Sequence, residues 1–193
     1  RGPRPSHQCR LGVMDVDRAL LERQMRELPI VQYEFFDTRE LTFSSRVRMV
    51  CQSDCPRYGA SWACPPAVGT VEACRERCLR YPRALLLTTM NEVDDIADME
   101  GTLATRGGHE EVTHRVNALL RGQGAETYPL STESCAICDQ CTYPDAPCRF
   151  PERMFPCVES HGILVLELAE RFGIDFQPQG NIVTWFSLIL YRG

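Results

Sequence analysis

Two groups of cysteines have types and spacings from which chemistry can be read. The later group is Cys135-x2-Cys138-x2-Cys141-x6-Cys148. Thiolates are soft ligands that select zinc, copper(I) and iron–sulfur clusters. Three cysteines at successive x2 spacings let a tight loop wrap three corners of a cube, with backbone amides left free to donate to sulfur. Bacterial ferredoxin runs follow this logic, and their fourth cysteine can serve a neighbouring cluster. Zinc sites more often use two separated C-x2-C pairs around a tetrahedron, and Cys138 would be strained on so short a tether. The spacing therefore favours an iron–sulfur cluster of the [4Fe-4S] type, with zinc as the alternative. Asp139, Thr142, Pro144, Asp145 and Pro147 between the cysteines form loops and do not belong in a core.

The earlier group is Cys51-x3-Cys55-x8-Cys64, with Pro56 after the second cysteine and Pro65-Pro66 after the third. Proline after cysteine fixes the direction of exit and removes a competing amide, and it recurs in cluster-binding runs. Gly59 lets the backbone turn toward a metal, and Tyr58 and Trp62 can shield it from water. Three ligands leave the identity of a fourth as the central question. Cys74 and Cys78 fall with Val71 at i, i+3 and i+7 of a helix, which reads more simply as a buried face. Cys157 is a further thiol with a weak claim, and Cys9 and His7 read as bystanders.

Other constellations carry less. His109 and His114 stand at i, i+5, too far around a helix to share one zinc, and read as a solvated face. His161-Gly162 follows the second loop and is a candidate ligand or proton donor. Gly122-Gln123-Gly124 follows a helix and lacks the strand–glycine–helix order of a dinucleotide site.

These groups need elements to position them. Residues 15–28 predict a helix, capped by Asp15 or Asp17, burying Leu21, Met25 and Leu28 and ended by Pro29. Alternation predicts strands at 31–35 and again at 43–49, the second leading directly to Cys51. Residues 51–69 read as a loop of fixed shape. A helix over 70–80 and a buried strand over 84–90 follow. The stretch 93–121 predicts a helix in two pieces, broken at Gly107-Gly108 and closed at Gly122. A strand over 125–131 leads to the second cysteine loop, 132–150, and a helix over 162–172 ends at Gly173. The closing IVTWFSLILY is apolar on both faces and predicts a central strand. Together these give an α/β fold, a single mixed-sheet domain over 13–193, with a flexible segment at 1–12 and both cysteine-rich loops at one end of the sheet.

Composition bounds the function. With 44% hydrophobic residues in 193, the chain can bury a core without cross-links. Eleven cysteines, an odd number, with no leader at the start of this sequence, point to metal or redox chemistry in the reducing cytoplasm. All 21 basic residues are arginine, which excludes Schiff-base and phosphate-loop lysine chemistry. A net charge of −5 without a basic stripe argues against nucleic acid, and no apolar run is long enough to span a membrane.

At the two loops the sequence resembles the predicted metal-binding family catalogued as domain of unknown function 2284. The resemblance is carried by Arg46-Val47-Arg48 before Cys51, by Cys55-Pro56-x-Tyr58-Gly59 and by Cys64-Pro65-Pro66. It continues through Cys135, Cys138, Cys141, Cys148-Arg149-x-Pro151 and Glu159-x-x-Gly162-Ile163-x-Val165, from about residue 30 to the end. It implies metal binding by seven cysteines and leaves Cys157 and His161 outside the family's pattern. Two functions are then expected to compete. One is an electron carrier for a redox partner protein. The other is an enzyme whose three-cysteine cluster keeps an open iron for sulfur abstraction or small-molecule reduction, with Glu159, His161 or Arg149 moving protons or binding anions. A zinc-stabilised interaction module is the third.

Overall fold

The computed structural model describes residues 15–176 and 178–193; the segment 1–12, with His7 and Cys9, lies outside the described residues. Its helices are α1 (Arg18–Met25), α2 (Ser45–Asp54), α3 (Val71–Leu79), α4 (Met99–Ala104), α5 (Arg106–Gly122) and α6 (Val165–Phe172). Its strands are β1 (Gln32–Asp37), β2 (Arg83–Glu92), β3 (Glu126–Leu130) and β4 (Ile182–Arg192). The strands form one sheet of order β1-β2-β4-β3, antiparallel at every pairing.

The period of two in the central strands sorts their side chains onto two faces. Ala84, Leu86, Phe186, Leu188 and Leu190 face Cys78 of α3 and Leu168 and Ala169 of α6. Leu85, Leu87, Ile189 and Tyr191 face Leu21 and Met25 of α1 and Val112, Val116 and Leu120 of α5. The sheet is covered on both sides, which explains why β4 is apolar on both and lies at its centre. Asp17 caps α1, its side chain accepting from the Leu20 N–H at 3.0 Å. Gly173, left-handed at φ 63°, ends α6 where the sequence places the stop.

Two elements and the placement of two histidines differ from the sequence reading. Residues 43–49 are not a strand: only Phe43 pairs, as an isolated bridge to Ile163, and α2 begins at Ser45 behind Ser44, whose side chain accepts from the Arg46 N–H. No side chain of α2 is buried, so no core face enforced the period of two, and a capped run carrying Arg46, Arg48 and Met49 took its helical preference. Cys51 thus lies on a helix, and the loop begins at Cys55.

The two-piece helix breaks at Thr105 rather than at Gly107-Gly108. The Thr105 hydroxyl donates to Thr102 O at 2.8 Å and accepts from the Trp185 indole at 2.9 Å, which fixes the bend; residues 93–98 precede both pieces. His109 does not sit on a solvated face. It is 1% exposed, with Nδ1 2.9 Å from Thr89 Oγ1. His114 is half-buried and its ring packs on Phe155, with centroids 4.2 Å apart.

Candidate metal centre

Because β1 and β3 run in opposite directions, strand direction alone does not bring the two cysteine loops together. Cross-loop hydrogen bonds do. Ser131 N–H donates to Pro156 O at 2.9 Å, Val158 N–H to Ser131 O at 2.8 Å and Cys157 N–H to Ala63 O at 3.3 Å. The Trp62 indole donates to Ala146 O at 3.1 Å and its ring meets Tyr143 edge-on at 4.9 Å. Three short segments, 61–64, 131–135 and 156–158, are therefore laced side by side.

Helix α2 delivers Cys51 from its last turn and Cys55 as its C-cap. One guanidinium holds the helix against the end of the first loop and against the turn that follows Cys157. Arg48 Nη1 donates to Gly69 O at 2.7 Å and Nη2 to Ser160 O at 2.6 Å. Beyond Cys55 the chain turns at Gly59, whose φ of 69° suits glycine, and whose N–H donates to Pro65 O at 2.8 Å. That hairpin-like closure turns Cys64 inward, where it is 4% exposed.

Cys51, Cys55 and Cys64 line one cavity of about 170 Å³, and a fourth thiol, Cys157, lines it with them. Cys157 is 6% exposed. The neighbouring Cys157 thiol pulls the Cys64 thiol down to about 7; burial opposes this, while the Ser134 and Ser61 hydroxyls and Arg57 assist. Cys64 Sγ lies 3.2 Å from Ser134 Oγ. The Cys64 thiol and burial raise Cys157 well above its ordinary range. Burial also raises Cys51. Glu159, on the same wall, is pushed up to about 7 by burial, and its Oε2 is buried without a hydrogen-bond partner. Glu133, also on this wall, has a left-handed backbone at φ 55°, a conformation that costs a non-glycine residue.

Cys135, Cys138, Cys141 and Cys148 line a second, tighter space of about 20 Å³, closed by Trp62, Phe150 and Met154. Burial acts upward on Cys141, but donation from the Tyr143, Trp62 and Thr142 amides and the Ser61 hydroxyl outweighs it, and its thiol is lowered. Amides aimed at a sulfur are the donor environment that a metal-bound thiolate uses. The two spaces share a wall. Ser134 lines the first and Cys135 the second, and Cys135 and Met154 pack on a small apolar cluster of Ala63, Cys64 and Cys157.

The remaining candidates lie elsewhere. Cys74 and Cys78 are fully buried, Cys78 within the sheet's core, as their helical spacing predicts. His161 is buried behind the site with Nε2 2.7 Å from Tyr128 Oη, and burial lowers it to about 3. Arg149 Nη1 donates to Gln140 O at 2.8 Å and borders the second space. Among the described residues, no three His, Cys, Asp or Glu side chains are gathered tightly enough for a single metal ion.

The model of a predicted metal-binding protein family, DUF2284, matches residues 34–191. The chain belongs to this family. The match takes in both cysteine groups, Cys157 and every strand except the first two residues of β1 and the last of β4. No curated protein and no solved structure matches the chain. Among the described residues, no helix is long and apolar enough to cross a membrane.

The donor chemistry fits the family's description. Two groups of soft thiols line adjacent spaces, one already carrying an easily ionised cysteine. Sequence reasoning gave Cys157 little weight because it lies beyond the second loop and is drawn in by long-range contacts, the bridge to Ser131 and its N–H donation to Ala63 O.

Proposed function

We propose that this protein holds two iron–sulfur clusters, one on Cys51, Cys55 and Cys64 and one on Cys135, Cys138, Cys141 and Cys148, and passes single electrons to a partner redox protein. The observation that carries this reading is the shared wall between two thiol-lined spaces. Neighbouring residues, Ser134 and Cys135, border different spaces, and consecutive Cα atoms are only about 3.8 Å apart. At the first site, thiols spread around about 170 Å³ suit a polyatomic group better than a point ion; the second, at about 20 Å³, rests on its four-cysteine spacing. When bound, [4Fe-4S] clusters supply one-electron transfer.

The protein's residues would hold and tune these groups. Trp62, Phe150 and Met154 exclude water from the second space, and amides and hydroxyls near Cys141 and Cys64 support thiolate charge. The net charge of −5 suits docking to a basic face on the partner. Nothing in the arrangement calls for nucleic acid or a membrane, and the cytoplasm is the compartment that suits so many reduced thiols.

The test is metal and sulfide content after anaerobic preparation. Brown protein with about eight iron and about eight sulfide per chain is expected for two clusters. Colourless protein with zinc and no sulfide would overturn the reading in favour of a zinc-stabilised module.

A further inference from the structure

The geometry points to Cys157 as the fourth thiolate of the first site, closing it as a four-cysteine centre. This rests on the cluster reading above and deepens it. The family resemblance accounts for seven ligands and leaves one site a ligand short, with two ways to complete it. Either a thiol of this chain fills the corner, or an iron stays open for substrate.

Four observations converge on Cys157. It lines the same cavity as Cys51, Cys55 and Cys64. Its side chain packs with that of Cys64 in one small buried cluster. Its backbone is fixed by its own N–H donating to Ala63 O and by the next residue's pairing with Ser131, so no rearrangement of the chain is needed to present it. Glu159, beside Cys157 on the same wall, carries a buried Oε2 without a hydrogen-bond partner, as expected of a wall shaped around an occupant. The competing thiols are directed elsewhere: Cys78 packs in the sheet's core, and Cys74 Sγ donates to Val68 O at 3.4 Å.

Ligation replaces the Cys157 S–H bond with an S–iron bond and releases the proton to water, without change in oxidation state. With the corner filled by protein, no coordination position is left at the first site for a small molecule. The first site then belongs to a carrier and not to an enzyme with an open iron.

The experiment uses the full chain, purified anaerobically and reduced, with electron paramagnetic resonance read before and after addition of cyanide, a ligand for open iron. The wild-type spectrum is expected to stay unchanged. A cyanide-dependent change in the wild type would overturn the assignment, and this arm stands even if a variant fails to fold. In Cys157→Ala, the first-site signal is expected to respond to cyanide and to 2-mercaptoethanol, or iron and sulfide to fall by about half as one of two clusters is lost. A Cys157→Ala protein with wild-type content and a cyanide-insensitive, wild-type spectrum would also overturn it. If the chain takes zinc and no iron, the function proposed above falls by itself. The ligand assignment is then read from the same variant: loss of one zinc supports it, and unchanged zinc overturns it.

Discussion

The buried polar side chains divide into those that face the thiol-lined space and those that fill the core. Cys64 and Cys157 belong to the first kind: both line that space, and the Cys157 thiol and the Ser134 and Ser61 hydroxyls beside Cys64 lower its pKa. His109 belongs to the second. It is enclosed by α5 and the sheet, bonded through Nδ1 to Thr89, with Nε2 left without a partner. Burial, with Arg106 adding repulsion, lowers its pKa from 6.5 to about 4. Below pH 6.5 the unfolded chain takes up a proton that the folded chain refuses until about pH 4, so stability is present above this window and lost as pH falls through it. The full shift corresponds to about 3 kcal/mol. Denaturant titrations of wild type and His109→Gln at pH 7 and at pH 4 measure this. The wild type should lose about 3 kcal/mol more than the variant over that interval. Parallel losses would mean that His109 is protonated in the folded protein.

At the scale of elements, α2 is the piece whose position depends least on apolar packing and most on one side chain. It buries no residue of its own, yet it must present Cys51 and Cys55 to a cavity completed by two distant loops. Arg48 fixes it by donating to Gly69 O at the end of the first loop and to Ser160 O in the turn after Cys157. Arg48→Leu leaves both carbonyls without that donor, at a cost of about 1–3 kcal/mol. The expected signature is selective. Metal should be lost from the first site, with the signal of the second retained, as read by iron content and paramagnetic resonance. Equal loss from both sites would show that Arg48 supports the whole loop region and not α2 alone. This dependence also explains what the sequence disclosed. Elements that bury a periodic face were legible: Leu21 and Met25 on α1, Val112 and Val116 on α5, and the doubly apolar β4. The cysteine spacings marked both thiol groups. Residues 43–49 misled because nothing buried constrained them, and the burial of His109 and the placement of Cys157 depend on partners far away in the chain, Thr89 and Ser131.

At the scale of the molecule, the chain holds two kinds of stability in separate places. The sheet is enclosed by two apolar clusters that include leucines, isoleucines and valines from both its faces and draw on one cysteine, Cys78. The thiol groups rest instead on a third and much smaller cluster of Ala63, Cys64 and Cys157, with Cys135 and Met154 against it. Buried apolar area sets how firmly a region resists opening, and local units open independently where such contacts are few. Metal ligation should therefore stabilise the loops far more than the sheet, in contrast to small zinc modules that are unfolded without their metal. Hydrogen exchange read by mass spectrometry, on the protein as purified and after chelation under reducing conditions, tests this separation. Amides in 51–69 and 132–157 should exchange much faster once the metal is gone. Those of β2 and β4 should keep their protection, because their ladder runs from Arg83 paired with Tyr191 to Glu92 paired with Ile182 and involves no cysteine. Loss of protection along that ladder would mean that the fold itself is built on the metal, and the thiol-lined spaces would then be scaffolding for the sheet and not a site carried upon it.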